Sequence, residues 1–92
     1  MPEVHFRIKW PDGEVTRCYS PSTIVREYFR SGLTLTIEEL VETSTRALDA
    51  ASERVRAKYG FACTSASHEL RDIQLRAGNF DSEEQVTIVD ID

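Results

Sequence analysis

Cysteine is scarce in this chain of 92 residues: Cys18 and Cys63 stand alone. Two thiols are too few for the dense disulfide framework that small secreted domains use in place of a large core, and both are expected to be reduced. There is no CxxC pair and no Cys/His spacing of a zinc site, and His5 and His68 lie far apart, so the sequence offers no metal or cofactor motif. Long apolar runs are missing too. No stretch approaches the ~20 apolar residues of a membrane span, and Met1 to Trp10 interleaves His5, Arg7 and Lys9 among its hydrophobes instead of presenting a leader's continuous core. The expected location is cytoplasmic, with no membrane partner. Positive charge is in deficit, 11 Lys and Arg against 16 Asp and Glu for a net charge of −5. A field of that sign repels phosphate backbones, which makes nucleic acid a poor partner. With only 4 glycines and 3 prolines there is no low-complexity linker, and no repeat of solenoid period occurs. A chain of this length and composition is expected to form one domain over residues 1–92 around a single modest core.

What is present is hydrophobic periodicity. Val4, Phe6, Ile8 and Trp10 alternate with His5, Arg7 and Lys9, the period of two that marks a strand with one dry and one wet face. Pro11-Asp12-Gly13 then supplies a fixed φ, a turn-tolerant acid and a residue free to take positive φ, and a second strand follows from Glu14 to Tyr19. A three-residue loop with a glycine bulge pairs Phe6 with Cys18 and Ile8 with Thr16. A two-residue Asp12-Gly13 turn pairs Phe6 with Tyr19 and Trp10 with Val15 instead, and the one-residue difference turns every side chain over. The first register is preferred, with the second still open.

Ser20 before Pro21 reads as a capped helix start, giving a short helix to about Arg30 with Ile24, Val25, Tyr28 and Phe29 as its stripe and Gly32 beyond its end. Leu33 to Leu35 reads as an extended connection. Thr36 and Glu39 form a capping box that opens a long helix, with Ile37, Leu40, Val41, Ser44, Leu48, Ala51, Val55 and Tyr59 at steps of three and four and a stop at Gly60. A further helix begins near Ser65, with Ala66, Leu70, Ile73 and Ala77 as its stripe and Gly78 at its end. Gln85 to Ile91 returns to β-branched residues and needs a strand edge, best supplied by the first strand. The expected fold is α+β: a three-stranded sheet, the N-terminal hairpin plus a C-terminal strand, packed on one face by two to three helices in the order β-β-α-α-α-β.

Three blocks resemble a known family: FRIKWPDG at Phe6 to Gly13, RCYSPS at Arg17 to Ser22, and above all ASERVRAKYGFAC at Ala51 to Cys63. They resemble the small nitrogen-starvation-response proteins encoded beside a nitrilase in bacterial gene clusters for cyanide or nitrile nitrogen assimilation. The likeness spans nearly the whole chain and departs most after Phe80. It implies a pathway that also includes a radical-SAM protein, an acetyltransferase-like protein and a flavin oxidoreductase. It implies no catalytic residue in the small member.

Site candidates come from the residues themselves. Cys63 precedes a helix start, where unpaired N–H groups favour a thiolate, and His68 lies about one turn further on; together they outline a thiol-dependent enzyme or carrier. The competing reading of Cys63 is a buried structural thiol. Arg54 and Lys58, four apart, share a helix face that suits an acidic partner or a phosphate, against the reading of a solvated, dipole-matched face. Tyr59 is expected to bury its ring while its hydroxyl bonds across loops, and Trp10 is either a core or edge anchor or an interface anchor. The function expected is non-enzymatic: an accessory protein that binds other proteins of its pathway, or itself as a homodimer, without a cofactor. A small-ligand sensor is the further alternative.

Overall fold

A computed structural model describes residues 3–60 and 64–92. Strand β1 (Val4–Lys9) turns through Pro11-Asp12-Gly13 into β2 (Val15–Ser20). The Gly13 N–H donates to the Trp10 carbonyl at 2.9 Å and the Trp10 N–H to the Glu14 carbonyl at 2.8 Å, with Gly13 at φ 89°. This is the glycine-bulge loop, which pairs Phe6 with Cys18 and Ile8 with Thr16. Val4, Phe6, Ile8 and Cys18 consequently face the core, while Arg7, Lys9 and Arg17 stay exposed.

The chain then makes a five-residue 3-10 helix, Thr23–Glu27, capped by Ser22, whose Oγ accepts the Ile24 N–H. This corrects the helix expected from Ser20 to Arg30. Ser20 is diverted, its hydroxyl donating to the Ser22 carbonyl at 2.8 Å, and the Tyr28 and Phe29 N–H groups both turn back to the Val25 carbonyl. Phe29 is then free to stack on Phe6, their rings 5.1 Å apart.

The expected extended connection is a strand in its own right, β3 (Thr34–Thr36), and it corrects the three-stranded sheet to four. The final strand, β4 (Gln85–Ile91), pairs with β1 on one side and β3 on the other, both antiparallel, giving the order β2-β1-β4-β3. Gly32, at φ 85°, helps to dock the strand: its N–H donates to the Ile88 carbonyl at 2.7 Å, and the Ile88 N–H donates to Leu33 at 2.8 Å. Arg7 faces Asp90 whereas Ile8 faces Ile88, so Val89 is an extra bulged residue. The bulge sets Asp90 beside Arg7 on the open face, where the two form an ion pair.

Helix α1 (Ile37–Tyr59) opens on the Thr36/Glu39 capping box and ends on Gly60 at φ 82°, whose N–H caps the Arg56 carbonyl. Helix α2 (Thr64–Ala77) buries Ala66, Ile73 and Ala77. The order among the described residues is thus β-β-3-10-β-α-α-β, with two α-helices, within the expected two to three, and a 3-10 helix in place of the first. Leu40, Ala47 and Leu48 of α1 join Phe6, Ile8, Val86 and Ile88 in one apolar cluster. Tyr59 falls at the end of the α1 stripe and is 44% exposed, outside that cluster.

Candidate functional site

Helix α2 lies alongside edge strand β2, and between them runs a groove of about 630 Å³. Trp10 shapes its floor. The ring is 2% exposed, its indole N–H donates to Thr16 Oγ1 at 2.8 Å, and it stacks on Phe80 at 5.9 Å. Arg76 reaches from α2, its guanidinium 5.8 Å from the Trp10 ring centroid and 3.0 Å from Glu14, binding the hairpin to the helix. At the other end Glu69 Oε1 accepts the Tyr19 N–H at 2.9 Å. A carboxylate thereby takes the place of a neighbouring strand on this edge.

The groove is acidic, with Asp12, Glu14, Glu69 and Asp72 set against Arg17 and Arg76. Burial raises the Glu69 pKa above the ordinary carboxylate range, and the Tyr19 N–H bond opposes that shift. Cys18 lies at the floor with its thiol pushed up to about 12, chiefly by burial and then by the Glu69 charge. A thiol held protonated in this way is a packing group rather than a nucleophile.

On the far side of α2 a second, largely apolar trough of about 500 Å³ runs between the start of α1 and the end of α2. Val41, Ala77 and Phe80 line it, with Glu38 and Glu42 among its walls. Between groove and trough stands Leu75, 65% exposed. Neither the Leu75 ridge nor the trough was foreseen from sequence; an apolar residue two positions from both Ile73 and Ala77, off the buried stripe of α2, was the available signal.

A third cleft, of about 150 Å³, forms where the last turns of α1 meet Pro21, Ser22 and Thr23. Here Arg54, Lys58 and Tyr59 do come together, with the Lys58 ammonium 5.6 Å from the Tyr59 ring centroid. Trp10 belongs to the first groove instead. His68 is exposed on α2, and Cys63 lies outside the described residues, so no thiol–imidazole pair is described. Among the described residues no group of three His, Cys, Asp or Glu is disposed to hold a metal, and no helix is long and apolar enough to cross a membrane.

The geometry therefore defines a small α+β protein whose described surfaces are grooves rimmed by fixed charge, with its one described thiol buried. The chain belongs to the family described as nitrogen starvation-induced protein NitG, whose model matches residues 5–91. No curated protein and no solved structure matches it.

Proposed function

We propose that this chain is a non-enzymatic accessory of the nitrogen-starvation response. In this reading it works by binding another protein of a nitrilase-associated assimilation pathway in the cytoplasm. The observation that carries the reading is Leu75, 65% exposed between two concave surfaces. A large aliphatic side chain held in water on a rigid helix, flanked by clefts, has the form of an interface anchor surrounded by polar rim.

Charge selects the occupant. Asp12, Glu14, Glu69 and Asp72 on one side of the ridge and Glu38 and Glu42 on the other favour a partner with a basic face. Two copies meeting ridge to ridge would set these carboxylates against their own counterparts, so the ridge suits a different protein better than a homodimer. Affinity capture from nitrogen-starved cells tests the reading. The wild-type chain should retain a protein encoded in its own pathway, and Leu75→Asp, an exposed change that spares the fold, should release it. Retention of no pathway protein under gentle conditions, or equal retention by Leu75→Asp, contradicts the reading.

A further inference from the structure

In an acid-rich chain the cleft at the end of α1 is an exception. The groove, the trough and the depression near His5 and Asp90 each count carboxylates among their walls. The cleft between Pro21–Thr23 and α1 is lined by Arg54, Lys58 and three hydroxyl residues, Ser22, Thr23 and Tyr59, with no carboxylate among the described residues. Its cations carry no described ion pair, although the Lys58 ammonium lies over the Tyr59 ring. Arg46 and Arg56 are ion-paired along α1, to Glu42 and Glu53, whereas neither Arg54 nor Lys58 has an ion pair among the described residues.

The helix dipole does not account for both cations. The effect falls off within the last turn, which holds Arg56 and Lys58 but not Arg54.

A second, independent observation comes from Ser22. It is only 8% exposed, and its Oγ accepts the Ile24 N–H at 3.2 Å. Accepting that bond leaves its O–H able to donate to a ligand, and the residue lines the cleft. A hydroxyl beside two cations that carry no described ion pair is a donor set suited to an anion.

Size and charge narrow the ligand. A cleft of about 150 Å³ holds a few water volumes, roughly 30 Å³ each, and falls short of the roughly 300–1,000 Å³ that encloses a drug-sized molecule. One tetrahedral oxyanion fits, with any larger body left outside. Two cations balance a phosphate of charge about −1.5 to −2 at neutral pH better than a carboxylate of −1.

From this geometry we infer that Arg54, Lys58 and the Ser22 hydroxyl form a binding site for a phosphoryl group, either free inorganic phosphate or the terminal phosphate of a small monoester. The site is separate from the Leu75 ridge and does not depend on the protein-binding reading.

The test is a two-dimensional amide NMR titration of the full chain at fixed ionic strength, with inorganic phosphate, glycerol 3-phosphate and acetate as probes. Saturable shifts at Ser22, Thr23 and Arg54 to Tyr59 with a phosphate probe, exceeding any with acetate, are expected. Tighter binding of the inorganic ion identifies free phosphate as the ligand, and tighter binding of glycerol 3-phosphate identifies a monoester. Arg54→Gln and Lys58→Gln, both at exposed positions, should each weaken binding roughly five- to tenfold without changing the melting temperature. Linear, unsaturating shifts, equal response to acetate, or unchanged binding in both variants would overturn the inference.

Discussion

Glu69 offers the sharpest perturbation, because one carboxylate is asked both to close the β2 edge and to endure partial burial. Its Oε1 accepts the Tyr19 N–H at 2.9 Å. Glu69→Ala removes that acceptor, a charge-assisted bond of roughly 1.5–3 kcal/mol. The loss is offset in part because the half-buried carboxylate no longer has to be desolvated, and solvent screening reduces both effects. A net cost of about 1–2 kcal/mol follows, which in a domain of this size lowers Tm by roughly 4–8 °C per kcal/mol. Glu69→Gln keeps an oxygen acceptor and drops the charge, so its stability at pH 7 should lie within about 0.5 kcal/mol of wild type.

The pH dependence separates charge from hydrogen bonding. Because the folded pKa of Glu69 is raised above 4.5, the folded chain holds a proton that the unfolded chain has released. Its contribution is therefore fully present below the ordinary glutamate value and is lost as pH rises through the raised folded value. Asp90 runs the other way: the hydrogen bond from Arg7 lowers its pKa below 3.8, so its contribution is present above that value and lost as pH falls. Urea unfolding from about pH 2.5 to about pH 7 should show the Glu69 slope in wild type and not in Glu69→Gln, with the Asp90 slope, at the acid end of that range, unchanged. Equal stability of Glu69→Ala and wild type, or a Glu69→Gln as damaged as Glu69→Ala, would refute the edge-closing role.

Other outcomes follow from single sites. Ser44, fully buried on α1, has an Oγ with no hydrogen-bond partner, whereas its neighbour Thr45 donates to the Val41 carbonyl at 2.7 Å. Ser44→Ala should stabilise the protein by about 1–2 kcal/mol in denaturant titration, from the orphaned hydroxyl and the better helix former together. Cys18 should resist iodoacetamide at pH 8 in the folded state and react at an ordinary thiol rate in urea, as burial and a pKa of about 12 require. Gly60→Ala, at φ 82° with open space around its Cβ position, should cost about 1 kcal/mol in the same titration through backbone strain alone.

The fold was legible where a local rule had a single solution. Pro11-Asp12-Gly13 favours a three-residue loop, and that loop fixes which side of β2 carries Cys18. Thr36, Glu39 and Gly60 mark both ends of α1 because caps satisfy backbone groups within a few residues. The misses share a cause in tertiary structure. Thr34–Thr36 is too short for its own periodicity to identify it as a strand; β4 makes it one, through Thr87, Val86 and Gln85. Ser20 has the chemistry of a cap, yet its hydroxyl turns to the Ser22 carbonyl, so the cap moves to Ser22 and the expected helix shrinks to a 3-10 segment. For the surfaces, helical spacing sets Arg54 and Lys58 on one face, and both line one cleft, but only the packing of distant segments brings Ser22 opposite them, Phe80 and Arg76 to the Trp10 ring, and Leu75 between two clefts.

The measurement closest to the central claim is hydrogen–deuterium exchange of the chain free and in complex with its captured pathway partner. The account predicts slowed exchange over Asp12 to Arg17, Glu69 to Asn79 and Ile37 to Glu42, with Arg7 and Lys9 on the open sheet face unchanged. Protection confined to that open face, with α2 exchanging as in the free chain, would contradict it.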